Sequence, residues 1–165
     1  MLRSAIAALI IAALSVTGCA QVAQKAVEQA TGVQVDQKGE TVTLKGKDGE
    51  AVTLSSQTPE ELKNFPVPQS FKLDSSGSMS SGGDKLSVAT WKGKGTVQEV
   101  AQFYKKALSD KGWKEDLSFD SQDGAQLSYS NGTESATITI NKQDSDIEIS
   151  VLLGKTSQKP GAASK

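Results

Sequence analysis

The chain reads as an α+β protein, a mainly antiparallel sheet with one packed amphipathic helix. The expected order is ββ-α-ββββ, preceded by a small β-meander. Three observations predict it. Residues 33–55 alternate apolar and polar with a period of two. Residues 96–111 carry apolar positions at helical spacing behind a capping signal. Residues 113–153 return to the period of two, interrupted by Asp-Gly and Asn-Gly turn signals.

In the meander, Val33 and Val35 alternate with polar residues, as do Val42 with Leu44 and Val52 with Leu54. Lys38-Gly39 and Asp48-Gly49 supply the turns. Three short strands bury few side chains, so this unit needs a larger neighbour. A boundary follows at Ser55–Pro59. Pro59–Lys63 is compatible with one helical turn capped by Thr58. Phe65-Pro66-Val67-Pro68 must be extended, because each proline restrains its predecessor, and Phe65 and Val67 are expected on the core.

Phe71–Leu73 opens a strand. Ser75–Asp84, rich in Ser and Gly, reads as a mobile hairpin connection, with a strand resuming over Leu86–Lys92. It lacks the GxxxxGK[ST] order of a phosphate loop. In Thr96–Lys111 the hydroxyl of Thr96 and the carboxylate of Glu99 can form a capping box. Val97, Val100, Tyr104, Ala107 and Leu108 share a face, and Gly112 fits the left-handed stop. Trp113 then anchors the return to the sheet.

Four strands remain. Trp113, Leu117 and Phe119 share parity, as do Ala125, Leu127 and Tyr129. Ala136, Ile138 and Ile140 follow, then Ile147, Ile149, Val151 and Leu153. Asp123-Gly124 and Asn131-Gly132 are expected as hairpin turns and Asn141–Asp146 as a longer one. The sheet face away from the helix is expected to be polar and wet. The domain division is 1–18 signal, 19–32 tether or short helix, 33–56 meander, 57–154 α+β domain and 155–165 loose tail.

Composition narrows the chemistry. The chain has net charge −1, no histidine and one cysteine, Cys19. Cys/His metal sites, Cys–His nucleophile pairs and an internal disulfide are therefore excluded within it. No basic block suggests nucleic acid. Ser87 with Lys85, or Ser109 with Lys106, are formal Ser–Lys pairs without a supporting motif. The acids at Asp116, Asp120 and Asp123, and at Asp144, Asp146 and Glu148, lack calcium-loop spacing and suit solvated turns. No enzyme, cofactor or metal is expected.

The N-terminus carries the most specific motif. Arg3 is followed by the apolar run Ile6–Val16 and then Thr17-Gly18-Cys19. Val16–Cys19 resembles the lipobox of bacterial lipoproteins, which implies cleavage before Cys19 and its lipidation by acyl chains such as palmitate. By the same resemblance, Ala20 and Gln21 fit the outer membrane, with the chain facing the periplasm. The outer face of a single cytoplasmic membrane is the alternative. Over Leu62–Leu153, the proline-bearing lead-in and the helix V97xxVxxFYKKAL108 before Gly112-Trp113 resemble small envelope lipoproteins. That likeness implies helix-on-sheet architecture and transfers no catalytic residue.

The expected function is that of a lipid-anchored, noncatalytic envelope protein that binds or organises another component. Its partners would be the membrane, through N-terminal acyl chains, and an envelope protein. The alternative is a carrier or sensor for a small apolar or lipid ligand between helix and sheet. Tyr104, Leu108 and Trp113 form the candidate ligand or packing cluster. A carrier should have room beneath them, and a scaffold should be filled there.

Overall fold

The computed structural model describes residues 33–46 and 49–157. The lipobox, Cys19, the tether, Asp48 of the second meander turn and most of the tail lie outside them. Among the described residues nine strands make one antiparallel sheet: β1 (Gln34–Lys38), β2 (Thr41–Lys45), β3 (Ala51–Ser55), β4 (Lys72–Ser81), β5 (Asp84–Gly93), β6 (Lys114–Asp120), β7 (Gly124–Asn131), β8 (Glu134–Gln143) and β9 (Asp146–Lys155). Helix α1 (Val97–Asp110) lies between β5 and β6, as the predicted order requires. The spatial order is β1-β2-β3-β4-β5-β9-β8-β7-β6. The meander is thus no separate layer: β3 pairs edge to edge with β4, from Ala51 opposite Ser80 to Ser55 opposite Ser76.

Helix α1 forms where expected, for the expected reason. Thr96 Oγ1 accepts from the Glu99 amide at 3.2 Å, and the Thr96 amide donates to Glu99 Oε2 at 2.9 Å. At the other end, Gly112 adopts φ +78°. The Trp113 amide reaches the Leu108 carbonyl, and the Gly112 amide reaches that of Ser109, both at 2.9 Å. These two bonds make a complete Schellman motif and aim the chain into β6.

The core lies between α1 and the sheet. Val97, Val100, Ala101, Tyr104 and Leu108 from the helix meet Leu127, Tyr129, Ile138, Ile140, Ile149 and Val151, all buried. Segment 56–71 crosses the same face as a strap and buries Leu62, Phe65 and Phe71. Its 3₁₀ turn, Glu60–Leu62, starts from Pro59 with no side-chain cap, so Thr58 does not play the expected role. Phe65 is buried and Val67 is packed against the core, as the proline pattern predicts.

Several local expectations are corrected. The Ser/Gly stretch is no mobile connection: Ser75–Ser81 is the second half of β4, paired in register with β5. Only Gly82 and Gly83 turn, at φ +60° and +91°, which suits a tight two-residue hairpin. The Asn141–Asp146 turn shrinks to Asp144-Ser145, because Gln143 already pairs with Asp146. Asp144 takes φ +51°, a conformation that aspartate tolerates. In the β7–β8 hairpin Asn131 pairs with Glu134, so the turn is Gly132-Thr133. Gly124 belongs to β7 rather than to the turn before it.

The shared parity of Trp113, Leu117 and Phe119 also fails. A bulge between Glu115 and Leu117 shifts the register. One extra residue reverses the face of everything beyond it. Glu115 stays on the helix side, opposite Tyr129, while Leu117 and Phe119 pair with Ser128 and Gln126 on the far face. Phe119 is 65% exposed there.

Candidate functional site

The predicted cluster is built by three elements. Tyr104 and Leu108 are one helical turn apart on α1, so both project onto the sheet, and both are fully buried. Trp113 follows the Schellman turn and packs half-buried against the core. The strap completes the group. Phe65 lies 6.2 Å from Tyr104 and 6.1 Å, edge-on, from Trp113, while Phe103 is edge-on to Tyr104 at 5.3 Å. Such tilted and edge-to-face pairs stabilise beyond their buried area. Lys111 Nζ donates to the Asn64 carbonyl at 2.9 Å and ties the strap to the helix end.

Tyr104 and Leu108 are both closed off from solvent. One detail departs from an ordinary core: the Tyr104 hydroxyl is buried with no hydrogen-bond partner among the described residues. Leaving such a group unpaired costs about 1–3 kcal/mol. Burial also pushes its pKa well above the usual 10, so it remains a protonated donor. Tyr129, also buried, finds a partner and donates to Glu115 Oε2 at 2.9 Å. Sequence patterning identifies both tyrosines as core but cannot say which hydroxyl is satisfied.

The formal Ser–Lys pairs do not form. Ser87 Oγ and Lys85 Nζ both donate to Glu61, at 3.2 and 2.9 Å. Lys106 Nζ is held by Asp110 at 2.7 Å. Hydrogen bonding to these carboxylates raises the pKa of each lysine, the opposite of what a general base requires. Among the described residues no three potential metal ligands converge. Three of the acids are paired with lysines: Asp120 with Lys105, Asp146 with Lys94, and Glu148 with Lys92.

Among the described residues, concavities open to solvent lie on two sides of the sheet. One of about 270 Å³ lies at the start of α1, between Thr96–Gln98 and the β8–β9 turn. Another, of about 140 Å³, lies on the sheet face opposite the helix, lined by Val52, Leu54, Met79, Leu86, Val88 and Leu152. Sequence reasoning missed the second. The expected polar face exists on β7 and β8, where Gln126, Ser128, Thr137 and Thr139 point outward. Beside it, toward β2, the same face is apolar.

Fold and site define, among the described residues, an α+β domain in which a helix, together with the strap, closes over the apolar face of the sheet's body. The START domain-like family model matches residues 72–147, from the start of β4 to the beginning of β9. The chain is similar to that class over β4, β5, α1 and β6–β8. No curated protein and no solved structure matches.

Proposed function

We propose that this is a lipid-anchored, noncatalytic carrier or sensor whose helix–sheet interface takes a small apolar or lipid ligand. The anchor would be the acylated Cys19, in an envelope membrane and facing the periplasm. The START domain-like match favours ligand binding over the broader envelope-organising role. The observation that carries the site is the Tyr104 hydroxyl, an unpaired donor inside an otherwise apolar shell. A ligand with one acceptor and an apolar body would satisfy both features. Entry requires the strap to lift, parting Phe65 from Trp113 and the Lys111–Asn64 contact.

The test is extraction of noncovalent lipid from the full-length protein, read by mass spectrometry, with Tyr104→Phe as the variant. The expected result is a stoichiometric apolar molecule in the wild type. In Tyr104→Phe the affinity for that molecule should fall about tenfold, the loss of one hydrogen bond near 1.4 kcal/mol, while the empty domain becomes no less stable. Recovery of no such molecule, with no rise in the unfolding midpoint on adding fatty acid or phospholipid, rejects the carrier. For the anchor, Cys19→Ser should abolish acylation and precursor processing and leave the domain folded. Unchanged mass and membrane retention in that variant would reject lipidation.

A further inference from the structure

The apolar groove on the open face is part of a longer strip. Antiparallel register places Val35, Leu44, Val52, Met79 and Leu86 in one row across β1–β5. Val42, Leu54, Gly77, Val88 and Leu152 make the adjacent row, from β2 to β9. Neither row contains a charged side chain between its first and last member. Gly77 and Gly154 form a low floor between the flanking side chains: a Cβ on Gly77 would lie 3.3 Å from Leu54 Cδ2, and one on Gly154 3.8 Å from Leu86 Cδ1. Leu54 is 59% exposed and Met79 48%.

We infer that this strip is the surface by which the domain rests on the lipid bilayer that its anchor enters. The inference depends on the acylation of Cys19. Size argues against a second copy of the chain. Strand spacing makes the strip about 24 Å long, with rows about 7 Å apart. Its area is on the order of 300 Å², well below the roughly 800 Å² per partner of a stable interface. A full face-to-face dimer would also have to bury the Ser, Thr and Gln residues of β7 and β8.

Chain geometry points to the bilayer. Val33 lies fourteen positions after Cys19 and leads directly into β1, whose Val35 begins one row of the strip. At no more than about 3.6 Å per residue, the tether keeps the strip within about 50 Å of the membrane. That confinement makes a weak apolar contact effective through high local concentration. The strip is a sheet face and not an edge, so the backbone groups of β2–β5 are already paired and apolar contact leaves none unsatisfied. A polar row, Ser75, Thr90 and Ser150, borders it, followed by the Lys92–Asp74 and Lys92–Glu148 ion pairs on the wet side.

Cys19 is the only cysteine, and acylation consumes its thiol, so a new cysteine takes a label at one site. Full-length protein carrying Leu54→Cys, Met79→Cys or Thr139→Cys would be labelled with an environment-sensitive fluorophore. It would then be reconstituted into phosphatidylethanolamine–phosphatidylglycerol vesicles with brominated acyl chains. Quenching at positions 54 and 79 should exceed that at 139 several-fold, and adding Leu54→Asp should remove the excess at 79. Protein that pellets with vesicles yet shows equal, weak quenching at all three sites overturns the docking and spares the anchor. Protein that stays in the supernatant overturns the anchor and the docking with it. Shielding at 54 without vesicles, together with a doubled mass, assigns the strip to a second copy and overturns the inference.

Discussion

The wing β1–β4 and the body β5–β9 belong to one continuous sheet, yet they turn their apolar sides in opposite directions. In the body, Ala125, Leu127, Ile138, Ile140, Ile149 and Val151 face the helix and are buried. In the wing the helix side is polar. Thr41 and Ser55 approach to 3.1 Å, Thr43 and Thr53 to 3.2 Å, and Ser76 donates to the carbonyls of Ser55 and Gln57 at 2.8 and 2.6 Å. Apart from Leu73, which pairs with Trp91 and packs on the core, the wing's large apolar residues lie on the far face instead. The crossing occurs at β5, which buries Ala89 and Trp91 on one side and shows Leu86 and Val88 on the other. A helix can cover only one side of a sheet, so the body is closed by its own chain, whereas α1 leaves the wing's apolar side open.

If that contrast is right, equal truncations should have unequal costs. Ile138→Ala in the body removes a fully buried side chain and leaves a cavity, for a loss of about 2–5 kcal/mol. Leu54→Ala in the wing removes a largely exposed one and should stay within about 0.5 kcal/mol. Denaturant unfolding of the two variants measures the difference. Comparable losses would mean that the wing's open face is covered in solution.

Glycine substitutions sharpen the same comparison at a smaller scale. A Cβ on Gly93 would stand 2.7 Å from the ring of Phe71, which is buried and has no room to yield. Gly93→Ala should therefore cost about 1–3 kcal/mol through overpacking. On Gly77 the nearest side-chain atom is Leu54 Cδ2 at 3.3 Å, and Leu54 can swing into solvent, although the Thr53 carbonyl at 3.1 Å remains close. Gly77→Ala should lose less than half as much in the same assay.

The two regions were not equally legible in the sequence. In the body, period, capping box and turn glycines all point to one answer, and the buried residues are those the pattern marks. In the wing, alternation identifies the strands but not the side they face, since Val42-Thr43-Leu44 reads the same whichever side is covered. Serine content suggested a loop where β4 pairs along its length, because the pairing comes from β3 and β5 and not from local preference. The bulge at Glu115/Leu117 leaves no sequence signal as plain as a glycine, so simple alternation puts Leu117 and Phe119 on the same side as Trp113 when they lie on the other. Tyr104 could be named as core-facing, but its missing partner depends on what the strap and sheet bring around it.

The strap supplies the smallest test, at the strand where the apolar side changes over. Glu61 accepts from Lys85 and Ser87, both on β5. The Lys85 hydrogen bond is the largest cause that holds its carboxyl below the ordinary value of 4.5, with partial burial opposing it. The unfolded chain therefore takes up that proton at a higher pH than the folded one. The stabilisation is present above pH 4.5 and is lost as pH falls through the lower folded value. The pair is partly open to water, so its worth should be under about 1 kcal/mol. Glu61→Gln should be slightly less stable than the wild type at neutral pH, and the gap should close in acid. Paired unfolding curves from neutral pH to below 4 read it directly. A gap that persists in acid would mean that Glu61 holds the strap by shape and hydrogen bonding rather than by charge.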